Sequence, residues 1–414
     1  MEVGEMDVEK ANQEAYKRIV ESHPVWKDVR IAGDVIPGMK KNRIFHSGPP
    51  IEWDRMCIPM KASITGAMIF EELCKDIKEA EALIKRGEVE LDINTNHDAV
   101  GPMSGPISAS MAVCEIENVA FGNKAYAGPI NTGRKPQVYT GIYRPDAIGV
   151  QKWIREVFAP ATSKALKAIG GIDARVLVGK SILMGDEQHN RNQAATALLI
   201  AQIMRGYIQA DLPKEVFLEI LNFMTENLDM FYATPHLAVC KSMLDPAHNI
   251  EGSTVVTTMS NNGVEYGIRV SGLRDRWFTA PSPPVKGLYF PGFKAEDSLA
   301  DLGGSRIKET AGFGGMCAAS SPAICLVVGG TPREMVEHTL NMYEITVGEN
   351  PAYQIPYLDF RGIPTGIDIR KVVETGFTPV ITTAINHKDE NVGYIGVGVV
   401  ISPMECFEKA LAAL

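Results

Sequence analysis

Val8, Ala11, Ala15, Ile19 and Val20 recur at helical spacing and predict an amphipathic helix at the start of the chain. Val35-Ile-Pro-Gly38 ends that unit. After Trp53, the stripe Ile69, Leu73, Ile77, Ala80 and Ile84 predicts a second helix that stops at Gly87. The stretch from Glu88 to Lys135 is rich in Gly, Pro, Ser and Asn and reads as short strands and functional loops. From about Asp146 to His248 the period is helical. The segment after Asn192 is apolar nearly all round, which predicts a buried helix, and Val216, Phe217, Ile220, Leu221 and Met224 mark another.

The period then shortens. Thr254–Met259 and Val264–Val270 flank Asn261-Asn262-Gly263, a hairpin signal. In the second strand Val264, Tyr266, Ile268 and Val270 are predicted to face one way, and Glu265, Gly267 and Arg269 the other. Thr331-Pro332-Arg333-Glu334 reads as a capping box, with Val336, Leu340, Tyr343 and Val347 as the apolar face of its helix. Ser402-Pro403-Met404-Glu405 repeats that signature, and Val380–Ile385 and Val392–Ile401 read as strands between the two. These patterns predict a mixed α/β (α+β) protein with a largely helical middle section. The parts are 1–148 (α/β), 149–250 (helical) and 251–414 (α/β). The helical part is compatible with an insertion into one body formed by the other two.

Composition narrows the function. The chain has 414 residues, 45% hydrophobic and 22% charged, which suits a globular protein with a substantial core. The formal net charge is −9 and no Lys/Arg run forms a basic patch, so nucleic acid and anionic membranes are poor partners. The seven cysteines are scattered, without paired spacing, which fits a reducing cytoplasm. The acidic start (Glu2, Glu5, Asp7, Glu9) lacks a signal-peptide apolar core, and no apolar run reaches membrane-spanning length.

The densest chemistry lies in Met184-Gly-Asp-Glu-Gln-His-Asn-Arg-Asn192. Here His189 is a candidate proton carrier and Arg191 a candidate anion clamp, with Asp186, Glu187, Asn190 and Asn192 as polar partners. An elaborate helix cap would account for one carboxylate and one Asn, but needs neither His nor Arg. Ile307 to Met316 reads as a strand followed by a glycine loop, in which the amides of Gly312, Gly314 and Gly315 can cradle an oxyanion or simply pack. The loop is neither a P-loop nor a dinucleotide fingerprint.

Weaker signals are His97 beside Asp98 in a glycine loop, His46 ahead of Pro49 and Pro50, and the hairpin tip His387-Lys388-Asp389. The first and last also read as ordinary loop structure, while a plain helix entry accounts for Glu52 but not for His46. Glu265 and Arg269 share a strand face, where an ion pair is the commoner explanation. No HExxH or clustered Cys/His spacing points to a metal, and no GxSxG marks a hydrolase elbow.

Taken together, these segments resemble the YlbE-like family, whose enteric members include the AllG component of oxamate carbamoyltransferase. The matching residues are His46 to Ile51 with Trp53, Met184 to Glu187 with His189 to Asn192, and Val255 to Met259. They continue through Asn262 to Glu265, Arg269 to Gly272, Trp277 to Thr279, Gly348 to Pro351, Thr383-Ala384 with His387 to Asp389, and Cys406 to Ala410. The resemblance runs from about residue 10 to the C-terminus. Gln188 and the loop from Gly128 to Arg144 depart from the enteric pattern. The motifs of aspartate and ornithine carbamoyltransferases are absent.

The resemblance implies a component of a multi-subunit carbamoyltransferase in cytoplasmic purine (allantoin) nitrogen catabolism. It would move a carbamoyl group between oxamate or oxalurate and phosphate or carbamoyl phosphate, with an FdrA-like subunit and a further small subunit as partners. Such a reaction needs two anion sites, oxyanion donors and a proton carrier, with no metal or organic cofactor expected. Arg191, Arg269, Lys388 and the 312–315 amides are candidate anion partners, and His189, His97 and His387 candidate proton carriers. A non-catalytic structural subunit and a stand-alone ureido amidohydrolase are the alternatives.

Overall fold

The computed structural model describes residues 3–133 and 135–414, so Arg134, within the divergent 128–144 loop, lies outside the described residues. The chain forms a mixed α/β fold. A five-stranded sheet runs in the order Ala99–Val100, Lys124–Ala127, Ala112–Asn118, Pro24–Ile31, Ile172–Asp173. A four-stranded sheet holds Phe278–Pro281, Glu265–Val270, Val256–Asn262 and Leu302–Gly303. A three-stranded sheet orders Lys286–Tyr289, Tyr394–Ile401 and Val380–Asn386, all antiparallel. Among the described residues, no helix is long and apolar enough to cross a membrane.

The core does not respect the breaks at 148/149 and 250/251. One apolar cluster joins Trp26 and Ala127 to Phe158, Leu199 and Tyr232 of the helical section, and to Phe313 and Tyr353 beyond it. The first helix, Val3–Glu21, buries Ala15 and Ile19 in that cluster. Its Asn12 side chain donates to Thr254 Oγ1 at 2.7 Å and Asp368 Oδ2 at 3.1 Å, tying the start of the chain to the part beyond residue 250. A second cluster sits under the hairpin and the C-terminal sheet, around Met259, Tyr266, Ile381 and Phe407. The helical section is thus built into a shared core.

The hairpin forms over Val256–Asn262 and Glu265–Val270. Asn262 Oδ1 accepts from the amides of Val264 and Glu265, at 3.0 and 2.8 Å, which pins the turn. Val264 falls in that turn and packs in a different cluster from Tyr266, Ile268 and Val270. The Thr331 capping box is present, with reciprocal bonds of 2.6 and 3.2 Å.

Four expectations need correction. The stripe after Trp53 is two helices, Ile58–Phe70 and Ile77–Lys85. The chain reverses at Glu72 (φ 60°), and Asp76 restarts the helix by accepting from Lys78 and Glu79. The helix Gln193–Gln209 buries only one face, through Ala195, Leu199, Ile203 and Tyr207, and leaves Ile208 70% exposed. The Ser402 hydroxyl meets Tyr266 Oη and the Pro379 carbonyl, so it does not cap Met404–Leu411. Finally, Ile307–Thr310 is a helical turn, closed by the Thr310 hydroxyl on the Arg306 carbonyl at 2.9 Å.

Candidate active site

The polar knot is a tight connection between the helices Ala174–Leu183 and Gln193–Gln209, turned by Gly185 (φ 97°) and Gln188 (φ 72°). Asp186 accepts from the amides of Ala194 at 3.2 Å and Ala195 at 2.8 Å. It therefore caps the following helix, and the structural reading holds for this carboxylate. Asn192 donates to the His189 carbonyl at 3.0 Å and serves the same turn. Burial pushes Asp186 up to about 6.

Glu187 is wholly buried. One carboxylate oxygen accepts from the backbone amides of Asn190 and Arg191, and the other accepts from the Thr382 hydroxyl at 3.2 Å. Burial and the nearby Glu309 raise its pKa to about 7.

His189 is the group that capping leaves unexplained. Its Nδ1 lies 2.7 Å from Glu309 Oε1. The same oxygen accepts from the amides of Gly315 at 3.2 Å and Thr382 at 3.3 Å. Backbone amides only donate, so Oε1 is an acceptor whichever charge Glu309 carries, and Nδ1 holds the imidazole proton. Nε2 then carries the lone pair, with no partner among the described residues. Burial, with the nearby Lys308 and Arg306 charges, holds His189 well below the ordinary histidine pKa, so it stays neutral. The result is a base whose tautomer and orientation are set by a buried carboxyl.

Lys308 completes the arrangement. It is 1% exposed, yet no described residue gives its ammonium a hydrogen bond. Burial lowers its pKa to about 8, and the carboxyls of Glu187 and Glu309 act in the opposite sense. Two residues earlier Arg306 has the opposite fate. It is wholly buried and paired with Asp301, and it also bonds Thr383 Oγ1 at 2.8 Å. Arg306 is therefore structural, while Lys308 is a buried cation left for something else.

His189, Lys308, Asn190 and Arg191 line one cavity of about 560 Å³, a volume that suits a small molecule. Ser305, Thr383 and Tyr139 add hydroxyls, and Met230, Leu237 and Phe290 contribute apolar wall. Three polar atoms here are buried and unpartnered: Asn190 Nδ2, Arg191 Nε and Tyr139 Oη. The Arg191 guanidinium has only a 4.0 Å approach to Asp186 and is about one-third exposed, at 36%. The cavity thus offers two cations, two neutral donors and a neutral base in a largely desolvated space.

Other sequence candidates lie elsewhere. The glycine amides do not form an open cradle. Gly312 N donates to the Glu309 carbonyl at 2.9 Å, Gly314 N to the Glu187 carbonyl at 2.7 Å and Gly315 N to Glu309 Oε1. Gly314 instead makes room, since a Cβ there would overlap the Glu309 carboxylate and come within 3.1 Å of His189 Cβ. His97 stacks on Phe45 at 4.1 Å, with both ring nitrogens engaged by Asp92 and the Pro37 carbonyl. His46 is buried and bonded to the Ser47 carbonyl at 2.9 Å. His387 accepts from the Asp389 amide, and Lys388 donates to the Glu296 carbonyl at 2.7 Å.

Glu265 and Arg269 do not pair with each other. Glu265 meets Arg55 at 3.2 Å, and Arg269 meets Asp275 at 3.4 Å beside a separate cavity. Among the described residues, no three His, Cys, Asp or Glu side chains gather as a metal-holding group.

Lys308, Glu309 and Tyr139 escaped the sequence reading. Lys308 and Glu309 lie inside the glycine segment, in the part whose pattern predicts a strand. Their signal was charge adjoining a run of Gly and Ala that has no polar face of its own.

Comparison with known proteins agrees with the resemblance. The family model described as oxamate carbamoyltransferase subunit AllG matches residues 89–305. The chain is 46% identical over 401 residues to the uncharacterized protein YahG of Escherichia coli K12, covering 97% of this chain and 84% of that one. It is 39% identical over 410 residues to the oxamate carbamoyltransferase subunit AllG of the same organism, covering 98% and 97%. A crystal structure of a conserved protein of unknown function from Enterococcus faecalis V583 matches with a TM-score of 0.97 at 40% identity, covering 100% of this chain and 99% of that one. The chain belongs to the AllG family of oxamate carbamoyltransferase subunits.

Proposed function

We propose that the 560 Å³ cavity is the carbamoyl-transfer site of an oxamate carbamoyltransferase complex. One observation carries the reading: an unbonded buried ammonium, Lys308, shares a cavity with an imidazole whose tautomer Glu309 sets. Family membership supports the reaction class, because the E. coli relative is named as a subunit of that enzyme.

In the degradative direction a hydrogen phosphate oxygen attacks the terminal carbamoyl carbon of oxalurate. The C–N bond to the oxamate nitrogen breaks, giving carbamoyl phosphate, and the P–OH proton ends on that nitrogen. His189 Nε2 takes the proton from phosphate and returns it to the departing nitrogen, which is a poor leaving group otherwise. Lys308 and Arg191 meet the phosphate and carboxylate charges, and Asn190 Nδ2 and Tyr139 Oη donate to the developing oxyanion. Bonds and protons balance with phosphate as co-substrate, so no cofactor is assigned. On this reading the chain works beside an FdrA-like subunit and a further small subunit, in cytoplasmic purine (allantoin) nitrogen catabolism.

The test is phosphate release from carbamoyl phosphate and oxamate by the reconstituted complex. His189→Ala is expected to lose turnover by about a hundredfold or more while the chain stays folded. A full rate in that variant would assign the chemistry to another subunit.

A further inference from the structure

A second cavity, of about 630 Å³, shares no lining residue with the first. It lies between the four-stranded sheet, the 3-10 turn Asn94–His97 and the end of the helix Ala233–Leu244. Arg269 is its central feature. Its guanidinium is nearly wholly buried, stacks on the Trp277 indole 4.9 Å away and donates to Asn96 Oδ1 at 2.7 Å. Gly267 gives the indole its place, since a Cβ there would lie 2.8 Å from the ring.

Four of the residues lining this cavity each carry a buried polar atom with no partner: Arg269 Nε, Trp277 Nε1, Thr95 Oγ1 and Asp245 Oδ2. Leaving four such atoms unsatisfied around one space is costly unless a ligand or water fills it. The first three donate and the fourth accepts. The opposing charge on Arg269 comes first from Asp275, with smaller contributions from Asp245 and Asp92, and Asp98 also lines the cavity. Asp275 is 76% exposed and sets one oxygen 3.4 Å from Arg269 Nη1 and 3.3 Å from His248 Nε2. Both distances exceed those of a good charge-assisted bond, and an exposed aspartate is easily displaced. Lys241, the other buried cation here, is already held by Asp245 Oδ1 at 2.9 Å.

We propose that this cavity is a second ligand site, for a small carboxylate that also bears an N–H donor. Its carboxylate takes the place of the Asp275 side chain against Arg269 and meets Trp277 Nε1 and Thr95 Oγ1. Its N–H group donates to Asp245 Oδ2. The site stands apart from the transfer cavity and holds whether or not that cavity performs the chemistry assigned to it.

The test uses calorimetry with oxamate, which carries both groups, and oxalate, which lacks the N–H. Both are titrated into the Lys308→Met chain, so that the first cavity contributes little. Oxamate is expected to bind, with oxalate weaker by about fivefold or more, the size of one hydrogen bond. Adding Arg269→Gln should weaken oxamate by about tenfold or more, and adding Asp275→Asn should tighten it several-fold by removing the competing carboxylate. Asp275 is exposed, so its variant keeps the fold. Absence of oxamate binding at millimolar concentration in the Lys308→Met chain would overturn the proposal. So would an affinity indifferent to Asp275→Asn.

Discussion

Replacing Lys308 by Met should make the free chain more stable and its anion site much weaker. The ammonium is buried and unbonded, and its pKa stands at about 8 rather than the ordinary 10.5. A displacement of that size corresponds to about 3 kcal/mol of unfavourable charge burial. Met fills nearly the same volume without a charge, so a gain of about 1–3 kcal/mol is expected. The measurement belongs at pH 6, where Glu187 and Glu309, raised to about 7 and about 8, both carry protons and do not miss their cation.

The sign follows from linkage. A lysine whose folded pKa is lowered costs stability fully below about 8, and the cost fades as pH rises toward 10.5, where the unfolded chain also loses the proton. The advantage of Lys308→Met should therefore shrink between those values. Binding should move the other way. One charge-assisted contact in a desolvated site is worth about 2–4 kcal/mol, so phosphate affinity should fall by about 30-fold to several hundredfold. Urea denaturation and calorimetry check the two halves. Unchanged phosphate affinity, or a loss of stability at pH 6, would refute the assignment of Lys308 as a cation held for a ligand.

Three further outcomes follow from the same geometry. Phosphate affinity of the native chain should decline as pH rises through about 8, when Lys308 loses its proton; a constant affinity up to pH about 9.5 would contradict this. Gly314→Ala should destabilise the chain by about 2–4 kcal/mol and abolish turnover, because the new Cβ overlaps the Glu309 carboxylate at a φ of 61°; native-like denaturation would show that the His189–Glu309 contact is looser than described. Asp186→Ala should cost about 2 kcal/mol by orphaning the Ala194 and Ala195 amides, yet leave phosphate affinity within about twofold; a larger affinity loss would make Asp186 part of the binding apparatus.

Much of the architecture was legible because it follows local periods. The first helix buries one regular face, while the hairpin at 256–270 and the strand Val380–Asn386 are buried on both faces and show as short apolar runs bounded by turn residues. Failures came where a local pattern was overruled. The apolar stripe at 69–84 continues across the break between two helices, so only the left-handed Glu72 and the Asp76 cap mark the end of one and the start of the next. In the 184–192 knot, polar density flagged the right place but blended two tasks: Asp186 and Asn192 hold the turn, while His189 and Arg191 face the cavity.

The charges of the 301–310 segment were harder to read, for a different reason. Every residue from Asp301 to Ser321 is buried, yet the segment strings together a two-residue strand and short helical turns, none with a polar face that would show as a helical or strand period. Its burial was nonetheless implied. Small residues from Ala311 to Ser321 can stabilise a fold only by close packing, which leaves Arg306, Lys308 and Glu309 beside them no route to water. That inference predicts buried charge, and buried charge must find partners. It does not say which cation remains over. Arg306 and Lys308 are two residues apart and equally buried, and by composition either could serve an anion. Asp301, close in sequence, takes the Nε–Nη2 edge of the Arg306 guanidinium while Ser305 Oγ takes Nη1, and so removes it from the chemistry. Lys308 is left facing the cavity with only two carboxyls nearby, each raised enough by burial to be protonated near neutrality. The positive character of the site therefore depends on a pairing decided in three dimensions.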